Sequence, residues 1–143
     1  MEALMTLDCS AYSENIADIL MIFQQIGWHI HNPQGKVEYL PIGDDDKYDW
    51  QCDEISESEL YDVISKKMEG KEQIGVNLFY CNGTEGISLM AYNTSQTILS
   101  ITINRKTVKG KYTDMSWYLE NIVYKLLNAD VRLLSYKIEE YED

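Results

Sequence analysis

The sequence predicts an α+β domain with a mostly antiparallel sheet and about three helices packed on one face, in the order β-α-ββ-α-βββ-α-β. Two observations carry this. From Ile74 to Ile103 apolar and polar residues alternate with period two through three runs joined by short turns, the pattern of an antiparallel meander. Three other stretches repeat apolar residues at helical spacing, each ending at a glycine or an asparagine. At 143 residues, with no internal repeat or low-complexity linker, the chain reads as a single domain over 1–143.

The elements follow in order. A first strand is expected from Ala3 to Cys9, then a helix from Ala11 to Ile26 carrying Ile16, Ile19, Leu20, Phe23 and Ile26 on one stripe. Glu14 and Asp18 suit its positive end, and Gly27 stands where a left-handed C-cap belongs. Trp28–Ile30 and Lys36–Ile42 flank Asn32-Pro33-Gln34-Gly35, whose residues either fix φ or tolerate its positive values, so a hairpin is expected. In Ile55-Ser56-Glu57-Ser58-Glu59-Leu60, Ser56 and Glu59 fit a capping box and Ile55 and Leu60 a hydrophobic staple. A second helix should therefore run from Glu57 to about Glu69, burying Leu60, Val63, Ile64 and Met68, and stop at Gly70. The meander strands carry Ile74 to Tyr80, Ile87 to Ala91 and Thr97 to Ile103, with turns at Asn82-Gly83 and Asn93 to Gln96. A third helix from Asp114 to Asn128 presents Met115, Tyr118, Leu119, Ile122 and Leu126, and a last strand spans Val131 to Ile138 before an acidic tail.

Composition narrows the function. Apolar residues make up 45% and charged residues 25%, ordinary globular values, and no run approaches the length of a membrane span. Met1 to Asp8 lacks the basic and apolar regions of a secretory signal. Cys9, Cys52 and Cys81 are odd in number and form no C-x-x-C pair, which speaks against a disulfide framework or zinc ribbon and for a cytoplasmic setting. The glycosylation patterns at Asn82 and Asn93 carry no weight there. Net charge is −12, with 16 acidic and 5 basic residues in 1–72 against 8 and 7 in 73–143. Such a chain is repelled by phosphate backbones, so no direct nucleic-acid binding is expected.

The acidic excess concentrates between Glu38 and Asp62, where ten carboxylates face one lysine, Lys47. Tyr39, Tyr48, Trp50 and Tyr61 interrupt the charges, which gives the stretch the anchoring side chains of an interface as well as a field. Glu57, Glu59 and Asp62 have a structural reason to be there, because carboxylates favour a helix N-terminus. Asp44 to Glu54 is what remains, a loop in which Asp44, Asp45, Asp46, Tyr48, Asp49, Trp50, Asp53 and Glu54 are the candidate partner-binding residues. A plain solvated charge run is the competing reading.

Other chemistries find less support. Counted from Asp44, the sixth and twelfth places of a calcium loop would hold Asp49 and Ile55 instead of glycine and glutamate. His29 and His31 alternate on a strand as two zinc ligands would, but no third ligand has the spacing. No G-x-S-x-G or Cys–His context activates a nucleophile. Asp45-Asp46-Lys47 and Glu69-Gly70-Lys71 match only the acidic-x-Lys fragment of metal-dependent nucleases. No enzyme activity, catalytic residue, metal or cofactor is expected. Arg105, Lys106, Lys109 and Lys111 form the one basic cluster, read as a solvated hairpin or a counterweight to the acidic surface.

The segments Ile26-Gly27-Trp28, Tyr39-Leu40-Pro41-Ile42-Gly43-Asp44, Tyr48-Asp49-Trp50, Ile101-Thr102-Ile103-Asn104-Arg105-Lys106 and Thr113-Asp114-Met115-Ser116-Trp117-Tyr118-Leu119-Glu120 resemble those of bacterial immunity proteins of polymorphic-toxin and contact-dependent growth-inhibition systems. The resemblance implies a cytoplasmic protein that binds the C-terminal toxin domain of its own cell's effector and blocks it, and a monomer or weak dimer is expected. A carboxylate field suits a basic, nuclease-type toxin. Tyr48, Asp49 and Trp50 would anchor the partner while Asp44, Asp45, Asp46, Asp53 and Glu54 steer it. The alternatives are a type III secretion-type chaperone or other acidic adaptor, whose usual terminal long helix this chain lacks, and a small metal-dependent enzyme.

Overall fold

The computed structural model of the chain describes residues 2–142. It shows an α+β domain in which an antiparallel sheet of eight strands carries three helices on one face. In chain order the elements are β1 (Glu2–Asp8), α1 (Ile16–Gln25), β2 (Trp28–His29), β3 (Val37–Tyr39), β4 (Gln51–Asp53), α2 (Glu57–Glu69), β5 (Ile74–Tyr80), β6 (Gly86–Ala91) and β7 (Thr97–Ile103). A small hairpin of β8 (Thr107–Val108) and β9 (Tyr112–Thr113) follows. The third helix is α-helical over Met115–Tyr118, π-helical over Leu119–Tyr124 and α-helical again over Lys125–Asn128, and β10 (Ser135–Tyr141) completes the sheet.

The sheet order is β10-β1-β7-β6-β5-β3-β4, with the short β2 paired beside β5. Period-two alternation sends Ala3, Met5, Leu7, Val76, Leu78, Ile87, Leu89, Leu99 and Ile101 to the helical side, where each is buried. Against them pack Ile19, Leu20 and Phe23 of α1, Leu60 and Ile64 of α2, and Tyr118, Ile122 and Leu126 of the third helix. Among the described residues the opposite face carries no helix. There Ser88 donates to the Asn77 side-chain oxygen (2.6 Å), Asn77 to one Glu38 carboxylate oxygen (2.9 Å) and Asn32 to the other (2.8 Å). Glu38, the first carboxylate of the acidic stretch, is thereby tied into the sheet.

Several boundaries differ from the periodicity. The first helix begins at Ile16 instead of Ala11, because local side-chain bonds compete with the helix ahead of it. Asp8 accepts from the Ser10 amide and hydroxyl, and Asn15 caps the helix by accepting from the Ala17 amide. The expected hairpin around Pro33 shrinks to one bridge, His31 with Val37, and Trp28-His29 pairs with Tyr80-Phe79. Asn32 consumes the turn, its side-chain oxygen accepting from the Gln34 and Lys36 amides. Gln51–Asp53, read as loop, is an edge strand on β3. The last strand begins at Ser135 instead of Val131 and ends at Tyr141 instead of Ile138, since Val131 folds back to cap the third helix through its amide to the Leu126 carbonyl (3.0 Å). Glu139 and Glu140, read as tail, are strand residues opposite Leu4 and Ala3.

Other readings coincide with the structure. α2 spans Glu57–Glu69, with the Ser56 hydroxyl accepting from the Glu59 amide (3.1 Å) and Gly70 as C-cap. Gly27 takes φ +107°, a conformation that favours glycine, and closes α1. The basic cluster lies at and around the β8–β9 hairpin, where Arg105 meets Glu140 (3.5 Å), Lys106 meets Glu85 (3.6 Å) and Lys111 meets Glu142 (3.3 Å).

One pH dependence follows from the core. Cys9 is 1% exposed, and burial pushes its thiol from 9.0 up to about 11. Above pH 9 the unfolded chain releases a thiol proton that the folded chain keeps, so stability falls from pH 9 towards about 11. Urea midpoints measured on either side of pH 9 should show this decline, and Cys9→Ala should flatten it. An unchanged slope in the variant would assign the effect to other groups.

Candidate protein-interaction site

Between β3 and β4 the acidic stretch folds into a loop organised from within. Asp44 is only 7% exposed, and its carboxylate accepts from the backbone amides of Tyr48 (3.0 Å) and Asp49 (2.9 Å) while its carbonyl accepts from Lys47 (3.1 Å). The side chain is a template for the turn, as aspartate commonly is. Gly43, Asp45, Asp46 and Tyr48 take φ of +78°, +53°, +54° and +57°. Glycine does this freely and aspartate tolerably, whereas Tyr48 bears a strain of order 1 kcal/mol for the left-handed conformation.

The loop is fastened at its base by residues distant in sequence. Lys67, 1% exposed near the end of α2, donates its ammonium to the carbonyls of Leu40 (3.2 Å) and Pro41 (2.9 Å). Burial pulls the Lys67 pKa down, while Glu72, Asp44 and Asp46 push it back up. Glu72 accepts from the Gly43 amide (2.7 Å), and the Tyr92 hydroxyl donates to Asp46 (2.6 Å). That bond to a carboxylate pushes the Tyr92 phenol up to about 12. A cavity of about 200 Å³ lies between the loop and these residues, and on its wall the buried Gln73 side-chain oxygen has no hydrogen-bond partner among the described residues.

The eight candidate residues thus divide. Asp45, Asp46, Asp49, Asp53 and Glu54 are exposed, as is Tyr48 at 52%. Asp44 points inward and presents no free carboxylate. Asp53 accepts from the Tyr39 hydroxyl (2.8 Å). Trp50 is half-buried: its ring and Leu40 lie over Gly75, where a Cβ would come within 3.1 Å of Trp50 Cη2 and 2.6 Å of Leu40 Cδ1. Gly75 is therefore a seat for the loop's tryptophan, and Trp50 has a packing role whatever else it touches.

Lys67, Glu72, Gln73 and Tyr92 are the residues that sequence reasoning missed. Lys67 falls on the stripe with Leu60 and Ile64, so its burial had a signal in helical spacing, but nothing in the sequence links Tyr92 to Asp46. The histidine pair lies elsewhere, His29 and His31 both exposed beside a shallow cleft that Cys81 also lines. Among the described residues no group of three or more His, Cys, Asp or Glu side chains is placed to hold a metal, and no helix is long and apolar enough to cross a membrane. Compared with models of known families, with curated proteins and with solved structures, the chain matches none. The arrangement can present fixed negative charge and an exposed aromatic ring on a rigid sheet edge.

Proposed function

We propose that this chain is an immunity-type protein, acting in the cytoplasm, that neutralises a cognate basic toxin domain, of nuclease type, by binding it stoichiometrically through the acidic loop. One observation carries the reading: Asp44 folds the loop from inside, so Asp45, Asp46 and Asp49 are displayed with little left to order on binding. Fixed carboxylates attract a positively charged active-site groove and speed encounter, and the exposed Tyr48 supplies amphipathic contact area. The resemblance of the loop and of the segments before the third helix to immunity proteins points the same way.

The test is co-expression of the neighbouring toxin domain with and without this chain, followed by capture of the complex at low and high salt. Rescue of growth and a complex that weakens with salt are expected; no rescue and no complex would refute the proposal. Kinetics then divide the loop. Asp45, Asp46 and Asp49 changed together to asparagine should slow association about tenfold or more at low salt with little change in dissociation, while Tyr48→Ala should mainly speed dissociation. Wild-type rates in both variants would place the interface elsewhere.

A further inference from the structure

At the far end of the sheet from the acidic loop, β10 pairs with β1 on one side only, which leaves the outer edge of a seven-residue strand unpaired among the described residues. Natural proteins usually blunt such an edge with brevity, proline, a bulge or an isolated lysine. The opposite edge, β4, is three residues long. β10 instead runs Ser-Tyr-Lys-Ile-Glu-Glu-Tyr without proline, with Tyr136 46% and Tyr141 54% exposed and Leu134, just before it, 52% exposed. Its lysine is matched: Lys137 and Glu139 lie on the same face, 3.0 Å apart.

We infer that β10 is a homodimerisation edge, pairing antiparallel with β10 of a second copy about a two-fold axis at Ile138. The sequence is self-complementary in that register. Lys137 stands opposite Glu139 of the second copy and Glu139 opposite its Lys137, so four charges alternate in sign on the uncovered face. On the helical side Ile138, half-buried opposite Met5, meets its own copy, and Tyr136 lies diagonal to it. Shifting the pairing by two residues sets Lys137 against Lys137 or Glu139 against Glu139, so charge selects one register. An isologous contact of this kind closes and does not propagate into a fibre.

The overall charge of −12 does not forbid this. The acidic loop lies at the β3–β4 end, six strand spacings and roughly 29 Å away, several times the Debye length of about 8 Å at physiological salt. The two loops then face outward at opposite ends of one continuous sheet, so dimerisation leaves both free. The inference is independent of what the loop binds.

Sedimentation of the purified full chain from micromolar to near-millimolar concentration tests it. A monomer–dimer equilibrium is expected, weakened about tenfold or more by Lys137→Glu and equally by Glu139→Lys, because each sets four like charges together. Mixing the two single variants should restore association as a heterodimer, and the double exchange Lys137→Glu with Glu139→Lys should restore the homodimer. Both positions are solvent-accessible, so unchanged circular dichroism should separate the effect from misfolding, and Lys137→Gln with Glu139→Gln should fall between. A wild-type chain that stays monomeric, a dimer indifferent to either single change, or singles that complementary charge does not rescue would each overturn it.

Discussion

Trp28→Ala should destabilise the fold by about 3–5 kcal/mol, a large share of the roughly 5–15 kcal/mol that holds a domain of this kind together. Trp28 is fully buried on the two-residue strand β2, with ring centroids 5.1 Å from Tyr80 and 6.0 Å from Trp117. Its indole N–H donates to the Asn121 carbonyl (3.0 Å), inside the π-helical turn of the third helix. Asn121 also accepts from the Tyr80 hydroxyl (2.8 Å) and donates to the Trp117 carbonyl (2.8 Å). A π turn opens the regular helical ladder, and this one persists where three polar contacts occupy the opening. Trp28→Phe separates packing from hydrogen bonding: it keeps most of the buried surface but leaves the carbonyl short of its donor, at a cost of about 1–3 kcal/mol. Urea unfolding followed by far-ultraviolet circular dichroism distinguishes the two. A loss below about 1 kcal/mol for the alanine variant would mean that the pocket collapses without penalty and that the indole is not a main support of the core.

Lys67→Ala should be the most damaging change near the acidic loop, at about 3 kcal/mol, because it strips the donor from the Leu40 and Pro41 carbonyls and opens a hole beneath the loop. Lys67→Met keeps the aliphatic stem and loses only the donor, so it should cost about half as much. Both variants remove the positive charge that lies under Asp44 and Asp46. Loop order should suffer before global stability does. Amide hydrogen exchange at Tyr48 and Asp49, whose N–H groups are held by Asp44, is the sensitive readout. Protection equal to wild type at those two amides, in a variant that is otherwise destabilised, would show that Asp44 alone organises the turn.

The sequence made most of this fold legible, and the reasons for the exceptions are local. The α2 N-cap at Ser56 and the alternation from Ile74 to Ile103 appear where spacing placed them, since both signals involve neighbours within a few residues. The start of α1 slipped because Ser10, Ser13 and Asn15 bond to nearby groups instead of extending the helix. β10 slipped because its register is set by β1, more than a hundred residues away. At the candidate site, charge and aromatic content singled out one loop but could not rank its members. Asp44 and Asp45 are identical by composition; burial makes one the scaffold and leaves the other on display. Trp50 was read as an anchor, and Gly75, which gives it a seat, carries no signal of that partnership.

The position of β1 also governs how the chain reaches this state. It pairs Leu4 with Ser100 and Glu2 with Tyr141, so β1 finds its sheet partners only in strands far later in the chain. Such contacts close long loops, and folding dominated by them proceeds over milliseconds to seconds. On the ribosome Met5 and Leu7 must wait for residues 97–100 and then 135–141 to emerge, and until then both core side chains lack their strand partners. The dense negative charge of residues 1–72, only part of which lies in the loop proposed to meet a partner, then also acts before any partner arrives, by keeping nascent chains apart until the sheet can close.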